Sequence, residues 1–269
     1  MLRCSDGWPY IVKFQNNSQG RKILANEFLG TLLAGRLGLP VPEVAIVDVQ
    51  SDLIHSSREL TIQYPRRSEP CQPGLCFGSR YLISRFTLTH GTVLRQSGAL
   101  SSWYLREVDN IRDFAGMLLF DKWTCNTDDR QVIFVRGENN SSDKVAMIDL
   151  GFCFGGPKWK FIDYPKIGLF AQATVYSSIQ GMEDFNPWLG ELENGLDEEL
   201  LWSLGNEIPP EWYANDAHGL AELINRLNKR RTLVRRLLSI TCGTVYRSFR
   251  NWKVAFEKSY LPIQQPGLC

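Results

Sequence analysis

The chain has 269 residues, 43% of them hydrophobic and 12% aromatic, enough for one sizeable core or two lobes sharing an interface. A net charge of +1 offers no global field for nucleic acid or a membrane surface, and no apolar run approaches the ~20 residues that span a bilayer. Seven cysteines without a CxxC pair read as packed, reduced thiols, and only three scattered histidines (His55, His90, His218) are available for a histidine metal site or base, so the expectation is a soluble, cytoplasmic protein.

Leu2–Gln15 reads as a hairpin with SDG as its tight turn. In the second strand, YIVKF, Ile11 and Lys13 share one face, and Tyr10, Val12 and Phe14 the other. Taken alone, Lys13 is an edge-strand charge that discourages aggregation. The run RKILANEFLGTLLAGRLGLPVPE places Leu24, Phe28, Leu32 and Ile23, Leu33, Leu37 on a wide helical stripe; Gly38 stops the helix and Pro40 and Pro42 follow. Glu27 lies in that stretch and by itself reads as an exposed helix charge. EVAIVDV predicts a strand buried on both faces. Residues 51–78 predict irregular structure with one short strand near Leu60–Gln63. SRYLISRF predicts a further strand and THGTVLRQSG a connector, with a lobe boundary near His90.

From Trp103 the chain turns helical, with Asp109 as a cap for Ile111, Phe114, Ala115, Leu118 and Leu119. That helix leads into FDKWTCNTDDRQVIFVRGENNSSDKVAMIDLGFCF. Here Asp128 and Asp129 precede one apolar strand, and Asp149 ends the next. A hairpin returns near its entry, so these acids converge, and converging carboxylates call for a cation or a proton-transfer task. Beyond it, an aromatic, Pro/Gly-rich loop runs to Ser178. Helices follow over Met182–Leu189, Asp197–Leu204 and Asp216–Ile240, and aromatics and bases recur at helical spacing over Tyr246–Lys258. Strands with one helix, then helices around one hairpin, make an α+β, two-lobe chain.

In order, a strand lysine (Lys13), a helix glutamate (Glu27), a loop acid (Asp128) and a strand-end acid before glycine (Asp149) follow the parts list of protein-kinase-like phosphoryl transfer. YIVKF, NEFLG, GLPVPE, FGSRY, DKWTCNTDDRQ and MIDLGFCF resemble the HipA-like kinase domain, related to the bacterial HipA serine/threonine kinases, over nearly the whole chain, IPPEWY and the NKRR helix included. NTDDR is the most specific match, standing where ordinary protein kinases carry His-Arg-Asp. The resemblance implies a bilobal protein-kinase-like fold: residues 1–90 as an antiparallel-sheet N-lobe with one helix, and 91–269 as a mainly helical C-lobe. It implies ATP and Mg2+ as cofactors, with Asp128 as catalytic acid, Asp149 on the metal, Lys13 on the nucleotide phosphates and Glu27 as its partner. The substrate would be a protein Ser/Thr or another hydroxyl; a small antitoxin-like partner accompanies such kinases.

Two positions depart from the pattern. Kinases carry an asparagine five residues after the catalytic acid as a second magnesium ligand; that position is Ile133, with Gln131 or Asn126 as substitutes off the spacing. Only twelve residues, with Gly7 the one glycine, precede Lys13, so the first strand and most of the phosphate-covering loop are expected to be missing, through a truncated start or because the phosphates are covered differently. These departures support an alternative, a catalytically impaired nucleotide-binding or interaction module. A third reading is nucleic-acid binding through Arg226, Lys229, Arg230, Arg231, Arg235 and Arg236, set against ordinary dipole compensation and a solvated face. Asp129 stands as an alternative to Asp128. Asp121 and Asp163 read as caps or surface charges, Trp123 and Cys125 as packed, and Arg130 as partner of a carboxylate near the loop.

Overall fold

The computed structural model describes residues 1–82, 105, 107–136 and 142–253. The expected boundary at His90 and part of SRYLISRF lie outside them. The N-terminal part is a four-stranded sheet in the order β1-β2-β6-β3, every pairing antiparallel. β1 (Leu2–Arg3) and β2 (Pro9–Lys13) form the expected hairpin. The register aligns Lys13 with Phe77, and Phe77 with Ile46 of β3 (Val44–Val49), so these side chains share one sheet face. β1 pairs only with Pro9 and Tyr10, so β2 has β6 alone beside Lys13. What overturns the reading of Lys13 as an aggregation-blocking charge is that its ammonium is held by Glu27 and Asp149.

β3, expected to be buried on both faces, is itself an edge; only its Val49 is fully buried. Residues 51–78 are far more ordered than expected. They contain α2 (Ser51–Ser56), the hairpin of β4 (Thr61–Tyr64) and β5 (Arg67–Pro70), and most of the central strand β6 (Gly74–Arg80). The sequence GLCFGSR carries weak strand propensity, and pairing on both edges decides its conformation. Its Gly78 is needed for that packing, because a Cβ there would lie 2.6 Å from Val47 Cγ2.

α1 (Lys22–Arg36) ends as the sequence predicts. Gly38 takes φ +73°, and Leu39 N–H bonds back to Ala34 O at 3.0 Å, closing the last turn. The helix is buried around most of its circumference, Asn26, Glu27 and Thr31 included, because it lies between the sheet and the C-terminal part. One apolar core joins Leu24, Leu29 and Phe77 to Phe114, Trp123 and Leu227; a smaller one, Phe14, Val49, Ile54, Cys71 and Cys76, lies on the other sheet face.

The C-terminal part comprises α3 (Asp113–Thr124), the β7 (Gln131–Arg136)/β8 (Asp143–Ile148) hairpin, α4 (Asn186–Gly190), α5 (Glu198–Asn206), α6 (Ala217–Arg230) and α7 (Val234–Thr244). α3 starts at Asp113 without a side-chain cap, so Asp109 does not serve as one. Asn110 instead bonds both backbone groups of Val145, docking the helix entry on β8. The expected helix over Asp216–Ile240 is two helices. At Arg230 the guanidinium turns inward onto Trp123 O, Lys122 O and Asp163, and a turn from Leu233 N to Arg230 O ends α6. Residues 246–252 form turns rather than the expected helix. Among the described residues no helix is long and apolar enough to cross a membrane.

Gly116, inside α3, meets the ring of Trp188; an added Cβ would lie 2.4 Å from the indole and 2.7 Å from Leu39 Cδ2. Gly116→Ala gains about 1 kcal/mol of helix propensity but overpacks a rigid ring at a cost of about 1–3 kcal/mol, rising where backbone must move. The expected outcome is a lower urea midpoint at unchanged slope.

Candidate active site

β2 and α1 bring the first two candidate residues together. The Lys13 ammonium is bonded to Glu27 Oε1 and, at 2.8 Å, to Asp149 Oδ1. Burial by itself lowers the Lys13 pKa; the two carboxylates outweigh it and hold the ammonium well above its usual range. Glu27 is 2% exposed, so its reading as a surface charge fails. Its desolvation dominates, and its carboxyl is raised despite the lysine. Burial also opposes ionisation of Asp149, but Lys13 and hydrogen bonding prevail and its pKa is lowered. Asp149 therefore presents an ionised, partly exposed carboxylate, the donor that a hard divalent cation prefers.

Asp149 takes a left-handed conformation, φ 57°, costly for most side chains but accessible to aspartate. Its neighbours fix it there. Ile148 O accepts from Arg130 Nη1 at 3.0 Å, and Leu150 N–H donates to Glu27 Oε2 at 2.9 Å. Asn26 Nδ2 donates to Gly151 O and Cys153 O, while its Oδ1 accepts from Trp159 Nε1 at 2.7 Å. The backbone after Asp149 can lie this close to α1 because residue 151 is glycine: a Cβ there would stand 2.8 Å from Ile23.

The loop bearing Asp128 leaves α3 through Cys125, also left-handed at φ 52°, with Asn126 N–H bonding Asp121 O. Asp121 and Arg130 form a two-bonded ion pair with fully buried side chains beneath the loop, so Asp121 is neither a cap nor a surface charge. Asn126 Nδ2 donates to Asp121 Oδ1 and its Oδ1 accepts from Asp128 N–H at 3.1 Å. Both ends of that amide are occupied, which leaves it little capacity as a metal ligand. Thr127 N–H and hydroxyl both reach Phe152 O, binding the loop to the segment after Asp149. Asp128 is half-buried and accepts from Asp129 N–H at 2.8 Å.

Ile133 pairs with Ala146 in the hairpin, half-buried and apolar, so it supplies no ligand. Among the described residues no three His, Cys, Asp or Glu side chains cluster into a self-sufficient metal cage. The residues fit a magnesium ion that takes one protein carboxylate and completes its shell with substrate phosphates and water. The turn before β2 offers no glycine-rich cradle; Asp6 occupies it, accepting from Trp8 N–H and the Tyr10 hydroxyl. The basic cluster of the third reading is mostly engaged: Arg230 with Asp163, Arg235 with Glu193 and Arg231 with Asn228. Sequence reasoning missed Asn26 and Trp159. A neutral polar residue beside Glu27 in an otherwise apolar helix was the available signal.

Compared with known proteins, residues 1–240 match the sequence model of the HipA-like kinase family. A Helicobacter pylori proinflammatory kinase, CtkA, is similar in structure, with a TM-score of 0.50 at 13% identity over 88% of this chain and 93% of CtkA, a likeness of fold alone. HipA from the Shewanella oneidensis MR-1 toxin–antitoxin complex with HipB and operator DNA aligns with a TM-score of 0.29 at 14% identity, over 90% of this chain and 60% of that one. No curated protein sequence matches the chain.

Asp121→Ala leaves the Arg130 guanidinium buried without its counter-charge and is expected to cost about 3–5 kcal/mol. Replacing both residues, Asp121→Leu with Arg130→Met, recovers much of that loss, because an apolar pair needs no desolvated charge. Urea denaturation of the three proteins checks the order.

Proposed function

We propose that this chain, which belongs to the HipA-like kinase family, is an ATP-dependent phosphotransferase acting on a protein Ser/Thr or another hydroxyl. The observation that carries the reading is the ammonium of Lys13 set between Glu27 and Asp149, residues that three separate elements bring together. Lys13 neutralises nucleotide phosphate charge, and Glu27 orients it from α1. Asp149 holds Mg2+, which, when bound, screens the phosphates and the charge that develops between them and the acceptor. Asp128 orients the acceptor hydroxyl and takes its proton. Ile11 and Ile46, 43% and 40% exposed on the sheet face that carries Lys13, give a nucleobase an apolar surface to pack on. The reading includes a cytoplasmic setting and a division into lobes near His90. Ile133 favours a second reading, a nucleotide-binding module without transfer, in which Lys13 and Asp149 still bind.

Millimolar ATP with magnesium, near a hundredfold over its dissociation constant, is expected to add about 2.7 kcal/mol of stability, or roughly 5–10 °C in Tm. Asp149→Asn removes that gain. Asp128→Asn keeps it and lowers label transfer from ATP by roughly 10²–10⁴-fold. No shift in the parent protein refutes nucleotide binding; a shift with no transfer to itself or to a lysate leaves the second reading.

A further inference from the structure

Asn26 is a neutral polar residue of α1, fully buried, one position before Glu27. Its amide is fully committed. Nδ2 donates to Gly151 O at 2.7 Å and to Cys153 O at 3.1 Å, and Oδ1 accepts from Trp159 Nε1 at 2.7 Å. These partners fix the orientation of the amide, because two carbonyls need its NH2 group and an indole N–H needs its oxygen. Trp159 is itself held, with the Lys22 ammonium 3.9 Å above its ring and Lys22 paired with Asp216. All three bonds of the amide therefore fall on residues 151–159, just after the strand-end acid.

That backbone has to be held. Six non-glycine residues among the described ones have a positive φ, and three of them lie here: Asp149 at 57°, Phe154 at 63° and Trp159 at 51°. Aspartate reaches this region at modest cost, whereas bulky side chains do so rarely. Gly155 and Gly156 continue the left-handed path at φ 75° and 73°. A Cβ at residue 155 would stand 2.1 Å from Lys160 O, so the path is also tightly folded. Local preference thus pulls the segment away from this path, and bonds from distant elements keep it there. Glu27 supplies one, accepting from Leu150 N–H with Oε2, but its other oxygen holds Lys13. None of the bonds of Asn26 reaches Lys13, so its grip acts on the Asp149 side of the site alone.

We propose that Asn26 is a positioning residue for the metal. By holding residues 151–159 in their strained path it fixes where the Asp149 carboxylate points, and so sets the affinity for Mg2+ while leaving the phosphate contact of Lys13 unchanged. The metal part rests on the phosphotransferase reading; the backbone part stands without it. Asn26→Asp keeps the shape and an acceptor for Trp159, but sets an oxygen against two carbonyls. Asn26→Ala removes all three bonds.

The test compares the full chain with Asn26→Asp, Asn26→Ala and Gly116→Ala. The last lowers stability through Trp188 and Leu39 instead of residues 149–159, and so separates positioning from general destabilisation. Hydrogen–deuterium exchange is followed at a temperature where all the proteins are folded. Peptides covering 150–159 are expected to exchange at least about tenfold faster in the Asn26 variants and at the parent rate in Gly116→Ala. Magnesium is then titrated at fixed ATP, with Tm as the readout. The Asn26 variants are expected to need about 10–100-fold more magnesium for half the shift, and to regain the full parent shift at saturating magnesium. Gly116→Ala should match the parent within about twofold. If one Asn26 variant fails to fold, the other carries the comparison. Parent-like exchange over 150–159, an unchanged magnesium requirement, or an equal change in Gly116→Ala overturns the proposal. So does a shift that saturating magnesium does not restore, because Asn26 would then act on the nucleotide as well. No shift with ATP and magnesium in the parent refutes the phosphotransferase reading instead, and the exchange rates then decide the backbone role by themselves.

Discussion

One ammonium group joins three elements remote in sequence. Lys13 comes from β2, Glu27 from α1 and Asp149 from the end of the β8 hairpin, and their mutual attraction is strong because little water screens it. Desolvation opposes the charge on Glu27, while Asp149, at the partly exposed end, is held ionised beside the lysine. That arrangement suits a site that completes its electrostatics only when a further cation and an anionic ligand arrive.

The ion pair alone would not fix geometry. That task falls to a set of hydrogen bonds around it, most of them buried. Asn26 and Glu27, adjacent on α1, grip the backbone of residues 150–153; Arg130 and Thr127 grip Ile148 and Phe152 from the other side. Asp149 is therefore clamped between the helix and the loop that bears Asp128. No buried side-chain nitrogen or oxygen among the described residues lacks a partner. The network is thus satisfied throughout, the condition under which buried polar groups specify a single arrangement instead of destabilising it.

Buried charge explains which single-residue readings failed. Glu27, Asp121 and Arg230 are long or charged side chains on helices, and such residues are seldom fully buried without a partner. Each has a partner supplied by another element or by the far side of a loop: Lys13, Arg130 and Asp163 respectively. A local pattern cannot reveal such a partner, so the ordinary expectation of exposure prevails until the fold is known. Two of these contacts were anticipated: Arg130 with a carboxylate near its loop, because Asp121 and Arg130 flank that loop, and Lys13 with Glu27, through the family resemblance.

The sequence alone determined α1 and its Gly38 terminus, the β7/β8 hairpin, the order of the four candidate residues and the family resemblance. Apolar periodicity, glycine at a left-handed position and short motifs are local signals that survive without tertiary context. Only the tertiary structure decided that 51–78 contains the central strand, that β3 is an edge, and that Asp216–Ile240 breaks in two. Strand pairing and the burial of Arg230 override local propensity there. It alone also seated Lys13 between two carboxylates, since a salt bridge spanning 136 residues of sequence exists only once the chain has brought its ends of the site together.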